Sequence, residues 1–152
     1  GLGAAIEIAV RDMEKNYKHV AELRDYFVKE LLANVKDIKY NGPVDTSRRL
    51  PSNANFSFEY IEGESILMSL DLEGIAVSSG SACSSGSLEP SYVLLSVGVP
   101  IELAHGSIRF SFGKNNTMEE VKYTLEKLYA IVARLREMSP LFKEFKGEQK
   151  YV

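Results

Sequence analysis

Ala54-Asn55-Phe56-Ser57-Phe58-Glu59-Tyr60 and Ser107-Ile108-Arg109-Phe110-Ser111-Phe112 are the two stretches that decide the fold. Successive side chains of an extended strand point to opposite faces, so strict alternation of apolar and polar residues marks a half-buried strand. In the first stretch Ala54, Phe56, Phe58 and Tyr60 point one way and Asn55, Ser57 and Glu59 the other. In the second, Ile108, Phe110 and Phe112 share one face, and Arg109 lies on the opposite one between Ser107 and Ser111. Two such strands need helices to cover their apolar side. The flanking sequence offers them: Ile6, Val10, Met13, Tyr17, Val20, Phe27 and Leu31 recur at helical spacing, as do Val121, Leu125, Leu128, Val132 and Leu135.

The remaining elements follow from punctuation. Lys36 to Tyr40 is a short strand closed by the turn Asn41-Gly42-Pro43, and residues 44–52, with Arg48 and Arg49, read as a polar loop. Gly63 to Glu73 is a short helix with Ile66, Leu67 and Leu70 inward, stopped by Gly74. Ile75-Ala76-Val77 reads as a short buried strand, and residues 78–89 as a loop. Pro90 is placed to open a helix through about Val97, ended by Gly98. Thr117-Met118-Glu119-Glu120 is a capping box, worth roughly 1 kcal/mol, before the last amphipathic helix. Ser139-Pro140 ends that helix, and a mixed basic and aromatic tail follows. The expected architecture is α+β: an open, mainly antiparallel sheet with helices over one face and a long N-terminal helix. The N-terminus has no cap before Gly1 and no strand leading in, so the chain looks cut into there.

Composition narrows the function classes. The 152 residues are 45% hydrophobic and 26% charged with a net charge of -3, which gives no global basic field for nucleic acid. No apolar run reaches a membrane-spanning length, and Leu2 to Val10 is interrupted by Glu7 with no basic region before it. A single cysteine, Cys83, makes no internal disulfide and fits a reducing compartment, here the cytoplasm.

That cysteine lies in Val77-Ser78-Ser79-Gly80-Ser81-Ala82-Cys83-Ser84-Ser85-Gly86-Ser87-Leu88-Glu89-Pro90. A structural cysteine contributes by packing and belongs in an apolar run. Here Ala82 and Leu88 are its only apolar neighbours, a context that favours a reactive thiol whose loop can swing between two sites. Its thiolate needs help from neighbouring charge that the sequence does not identify. Arg109, on the polar side of its strand, is a solvated charge, a partner of a local carboxylate such as Glu102, or a bidentate clamp for a substrate carboxylate. Several patterns are decoys. Gly80 and Gly86 lack the Lys-Ser or Lys-Thr of a phosphate loop, and Gly1-Leu2-Gly3 lacks the strand and third glycine of a dinucleotide fingerprint. Asn55-Phe56-Ser57 and Asn115-Asn116-Thr117 match glycosylation acceptors by coincidence in a reduced chain. One cysteine with His19 and His105 makes no zinc site, and no orienting Asn or Asp supports a Cys-His dyad.

Ser78-Ser79-Gly80-Ser81-Ala82-Cys83 with Ser87-Leu88-Glu89-Pro90-Ser91-Tyr92-Val93-Leu94 resembles the active-cysteine loop of the NifS/IscS-type cysteine desulfurases of the class V aminotransferase family. Ala104-His105-Gly106-Ser107-Ile108-Arg109-Phe110-Ser111 resembles the segment bearing that family's substrate-carboxylate arginine. Asn55-Phe56-Ser57-Phe58, Glu62-Gly63-Glu64-Ser65 and Arg134-Leu135-Arg136 with Ser139-Pro140 match in order and approximate spacing. The resemblance implies the small C-terminal domain of a fold-type-I pyridoxal-5'-phosphate transferase, with a connecting helix at 1–35 and the small domain at 36–152. It implies Cys83 as the catalytic residue that becomes a persulfide when L-cysteine is converted to L-alanine, and Arg109 as the substrate-binding residue. The sulfur would pass to an iron–sulfur scaffold protein or another acceptor, with Cys83 as a transient iron–sulfur ligand there and no resident metal. His105 would support the adjacent strand. No segment matches the cofactor lysine, the acid that pairs with the pyridine nitrogen, or the stacking histidine; in the family these lie in an upstream domain of what is usually a homodimer. The cofactor-binding residues are therefore expected outside this chain, which alone would be inactive. A stand-alone sulfur-relay or scaffold-binding module using Cys83 without pyridoxal chemistry is the alternative, and selenocysteine is an alternative substrate.

Overall fold

A computed structural model describes residues 1–80 and 90–148. The chain opens on α1 (Leu2–Asn34), followed by β1 (Ile38–Tyr40), a single 3-10 turn at Thr46–Arg48, β2 (Asn53–Phe58) and α2 (Gly63–Asp71). Then come β3 (Ser78–Ser79), the short helices α3 (Tyr92–Ser96) and α4 (Ile101–Ala104), β4 (Ser107–Ser111), α5 (Met118–Met138) and α6 (Pro140–Glu148). The four strands form one antiparallel sheet in the order β1-β2-β4-β3. The α+β architecture, the small antiparallel sheet and the long first helix are those the alternation predicts.

The apolar faces of β2 and β4 are the floor of the core. Ala54, Phe56, Phe58, Ile108 and Phe110 are buried there against Leu23, Phe27 and Leu31 of α1, Ile66 and Leu70 of α2, and Val121, Leu125, Leu128 and Val132 of α5. Register puts Ala54 opposite Phe110 and Phe56 opposite Ile108. Phe27 lies at the centre, with ring centroids 4.7 Å from Phe110, 5.5 Å from Phe112 and 6.4 Å from Phe56. Each such side chain contributes about 1.5–3 kcal/mol by leaving water. Burial on α1 begins only at Val20; Leu2, Ile6, Val10, Met13 and Tyr17 are exposed, so the first half of the apolar stripe touches none of the sheet.

Local chemistry explains the ends of the elements. The capping box is formed: the Glu120 amide donates to Thr117 Oγ1 (3.2 Å) and the Thr117 amide to Glu120 Oε2 (2.9 Å). Asn116 extends it, donating to Glu120 Oε2 at 3.1 Å, while its carbonyl lies 2.9 Å from His19 Nε2 on α1. Gly74 and Gly98 stop their helices at φ +75° and +78°, which glycine adopts without a Cβ penalty. Asp37 and Tyr60 also have positive φ. They flank the β1–β2 pair, and the buried Arg136 donates to the carbonyls of Asp37 (2.8 Å) and Glu59 (3.3 Å) beside them.

Four expectations are corrected. Ile75-Ala76-Val77 is not a strand; Ala76 is exposed, and pairing with β4 starts at Ser78, opposite Arg109. Three apolar residues carry no period by which to tell a strand from its approach segment. Pro90 does not open α3; Ser91 is its N-cap, with no side-chain cap bond. Tyr60 does not continue β2, because its left-handed backbone turns the chain. The tail is helical over Pro140–Glu148, with the Phe142 ring on Tyr60 (5.5 Å) and under Arg136 (5.7 Å). Proline at the first helical turn started α6 rather than only stopping α5.

Three consequences are measurable by thermal unfolding. A Cβ on Gly106 would collide with the Phe58 carbonyl oxygen and stand 2.8 Å from that of Ile61, both backbone atoms that cannot step aside. Gly106→Ala is expected to lose about 1–3 kcal/mol of stability, the usual cost of overpacking. Thr117→Ala is expected to lose about 0.5–2 kcal/mol by breaking the cap. The bonds from the Thr117 amide and then Asn116 hold the Glu120 carboxyl below its ordinary value of 4.5. A lowered folded value means this group stabilises the fold above pH 4.5 and loses that contribution as pH falls through the folded value. The deficit of Glu120→Gln should therefore be present at neutral pH and close in acid.

Candidate substrate-carboxylate site

The polar faces of the same strands build the site. A row of side chains crosses the sheet: Asn41 at the end of β1, Asn55 on β2, Arg109 on β4 and Ser78 on β3. Asn55 and Ser78 are the register partners of Arg109 on its two sides. Side chains directly opposite in an antiparallel pair share a face, with Cβ atoms about 5 Å apart. Arg109 is exposed, and its Nη2 donates to Ser78 Oγ at 3.2 Å, a long bond. No described carboxylate, Glu102 included, forms an ion pair with it.

The cleft over this row has a volume of about 380 Å³. It is lined by the row's Asn41, Asn55 and Arg109, by Arg48, Arg49 and Asn53, by Ser79 and Gly80, and by Ser91, Val93, Leu94 and Val97 of the α3 region. The lining described holds three arginines and no Asp, Glu or Lys, in a chain whose net charge is -3. A cleft of that composition favours an anion. Short α3 borders this polar side, with Leu94, Val99 and Ala104 in a small cluster of their own. Gly80 admits the close approach: a Cβ there would strike Ser107 Oγ and stand 2.9 Å from Leu94 Cδ1. Ser107 and Ser57 are fully buried on this side, where Ser107 Oγ donates to the Ala104 carbonyl (2.7 Å) and Ser57 Oγ accepts from Asn41 Nδ2 (2.9 Å).

One end of the cleft is pinned by Arg49. Its Nη2 donates to the Asn41 carbonyl (2.5 Å) and its Nε to that of Pro43 (3.0 Å), while its guanidinium carbon lies 3.9 Å from the centre of the Tyr40 ring. Burial pushes the Arg49 pKa down and, foremost among opposing effects, also pushes the Tyr40 hydroxyl up. Arg49 directs two of its donors to the chain; of the two exposed arginines left in the lining, Arg48 and Arg109, Arg109 is the one on the strand row, between Asn55 and Ser78.

Cys83 lies outside the described residues, as does most of the 78–89 loop; the described part, Ser78–Gly80, pairs with β4 beside Arg109. The structure thus brings Arg109 to the root of the cysteine loop. His105 is exposed, and its carbonyl accepts from the Gly63 amide at 2.9 Å, which ties the approach to β4 onto α2. Sequence reading passed over Asn41 and Arg49. An Asn-Gly-Pro turn signals only a turn, and two adjacent arginines in a polar loop look solvated. The sequence marks Asn55 as a polar-face residue, a chance acceptor pattern and part of the matching Asn55-Phe56-Ser57-Phe58 segment; only strand register places it beside Arg109.

Pyridoxal phosphate requires a lysine for its covalent attachment. No lysine lines the cleft, and Lys39, on the same face opposite Ser57, donates to the Gly98 carbonyl at 3.2 Å. The described lining of this cleft suits a carboxylate and holds no lysine.

The chain is similar to known proteins over most of its length. The chain is 55% identical over 150 residues to a protein named cysteine desulfurase IscS from Dictyoglomus turgidum, an overlap of 99% of this chain and 38% of that one. It is 50% identical over 143 residues to a cysteine desulfurase of Mus musculus, covering 94% of this chain and 30% of the other. The chain therefore spans between 30% and 38% of the length of these relatives. A solved NifS-like protein matches with a TM-score of 0.72 at 32% identity, over 87% of this chain and 32% of that chain. The apo structure of a cysteine desulfurase from Thermococcus onnurineus NA1, at 21% identity and a TM-score of 0.68 over 88% of this chain and 30% of its own, shares the fold. The model of the aminotransferase class-V family matches residues 1–124, more than half of the chain, and the chain belongs to that family.

Proposed function

We propose that this chain forms the substrate-carboxylate and sulfur-accepting end of a pyridoxal-phosphate-dependent cysteine desulfurase. The observation that carries the reading is Arg109, exposed in an arginine-lined cleft with no described carboxylate paired to it, at the root of the loop that bears the sole cysteine. The names of the relatives support it. In the net conversion, L-cysteine and the Cys83 thiol give L-alanine and a Cys83 persulfide. The substrate's carbon–sulfur bond breaks, a sulfur–sulfur bond forms, and a hydrogen ends on the methyl group of alanine. Arg109 holds the carboxylate through two parallel N–H donors, which fixes the substrate's orientation. Cys83 receives the sulfur as thiolate.

In this reading residues 1–35 are a connecting helix and residues 36–152 the small domain with its cysteine loop at 78–89. The exposed apolar half of α1, from Leu2 to Tyr17, supports a covering upstream domain that also carries the cofactor lysine. The full enzyme is a cytoplasmic homodimer that passes sulfur to an iron–sulfur scaffold or another acceptor, with Cys83 a transient cluster ligand there. No described helix is long and apolar enough to cross a membrane.

Two substitutions test the roles, in the cofactor-loaded protein with this chain continued to the length of its relatives. Cys83→Ser is expected to abolish the mass gain of one sulfur atom that the protein acquires on exposure to L-cysteine, with its melting temperature nearly unchanged. A persulfide on the variant would remove Cys83 from the reaction, and a large fall in melting temperature would make it a packing residue. Arg109→Lys replaces a planar fork by a point charge. Because a hydrogen bond to a charged group contributes about 1.5–3 kcal/mol, cysteine binding should weaken roughly ten- to hundred-fold. An unchanged specificity constant would take Arg109 out of the site.

A further inference from the structure

Resting on the reading of Arg109 as the carboxylate anchor, we infer that Asn55 is the second donor to the substrate carboxylate and that Asn41 is the positioning residue that aims it. Asn41 is 3% exposed and sits where β1 ends. Its backbone amide donates to the Asn55 carbonyl at 2.9 Å, so the sheet ladder continues to this point. Its side-chain Nδ2 donates to Asn55 Oδ1 at 2.7 Å and to Ser57 Oγ at 2.9 Å. Its carbonyl accepts from Arg49. These bonds hold Asn41 from both sides of the turn, its own buried Oδ1 having no partner among the described residues, and through its Nδ2 they hold the Asn55 oxygen toward β1.

The consequence follows from the shape of an amide. Oxygen and nitrogen leave the same planar carbon in diverging directions, so an Asn55 oxygen held toward β1 turns the nitrogen, with its two N–H donors, toward β4. There the register partner is Arg109. The Asn55 nitrogen makes no hydrogen bond to a described residue. Guanidinium and amide donors therefore stand side by side over the cleft, matched to the two oxygens of a carboxylate. Ser78 Oγ occupies the far side of Arg109 and keeps the guanidinium from swinging off the row. Asn55 supplies donors without adding charge, so it selects a carboxylate by geometry and reads nothing of the side chain or its chalcogen.

The test uses the cofactor-loaded protein at the length of its relatives. It measures KM and kcat for L-cysteine and the dissociation constant of L-alanine, which has the same carboxylate and no sulfur to transfer. Asn55→Asp sets a carboxylate against a carboxylate and offers Arg109 an internal partner. It is expected to raise both KM and the L-alanine dissociation constant by at least about ten-fold, with kcat changed far less. Asn55→Ala should raise both by a smaller factor, and melting temperatures of both variants report folding. Asn41→Ala should reproduce the Asn55→Ala shift, through misdirection of an amide that is still present. Wild-type values in both Asn55 variants, with Arg109→Lys impaired, would overturn this inference and leave the reading of the site standing. Wild-type values in Arg109→Lys as well would overturn both. If Asn55→Asp fails to fold, the Asn55→Ala values decide.

Discussion

One face of the β2–β4 pair must be dry and the other wet, and everything else in the molecule answers to that division. The apolar face is covered by α1, α2 and α5 through Phe27, Ile66, Leu70 and Leu128, and their packing on Phe56, Ile108 and Phe110 fixes strand register. A slip of one residue in β4 would turn Arg109 into the core and Ile108 into the cleft, and one in β2 would do the same to Asn55 and Phe56. An unpaired guanidinium inside that core would cost far more than the marginal stability of a domain. The core thus determines where the site's arginine points, although no residue of the main cluster around Phe27 lines the cleft.

The wet face is held together by a different kind of bond. Ser57 and Ser107 are buried polar groups, each satisfied at short range, and Asn41 joins the end of β1 to both Asn55 and Ser57. Arg49 closes the turn beyond Asn41 by donating to carbonyls and lying against Tyr40. The donors of Asn41 and Arg49 go to one another's neighbours and to the chain, while the buried Asn41 Oδ1 and Tyr40 hydroxyl find no partner among the described residues. Arg109 keeps most of its donors for a ligand. In the proposed reading, a site prepared this way would need little reorganisation to take a carboxylate, which is how fixed donors serve catalysis.

Much of this was legible in the residues themselves. Alternation in 54–58 and 107–112 gave the two central strands and the side on which Arg109 lies, and Thr117 with Glu120 gave the start of α5. Other features depend on contacts that no local pattern contains. Ile75 to Val77 look like a strand but pair with nothing, because the edge of the sheet is reached only at Ser78. The segment after Pro140 becomes a helix where Phe142 finds Tyr60 and Arg136. Asn41 and Arg49 sit in a turn and a polar loop, contexts in which such residues are ordinarily solvated. Their role comes from bonds to a strand fourteen residues away in the case of Asn41 and Asn55, a separation that periodicity does not see.

The central claim is that the wet face of β2 and β4 holds the carboxylate of an amino-acid substrate. It is tested most directly by a crystal structure of the cofactor-loaded protein, at the length of its relatives, with L-alanine bound. The account predicts both carboxylate oxygens over the Asn55–Arg109 pair, at about 2.7–3.2 Å from their nitrogens. A carboxylate seated elsewhere, with Arg109 still bonded only to Ser78, would contradict it.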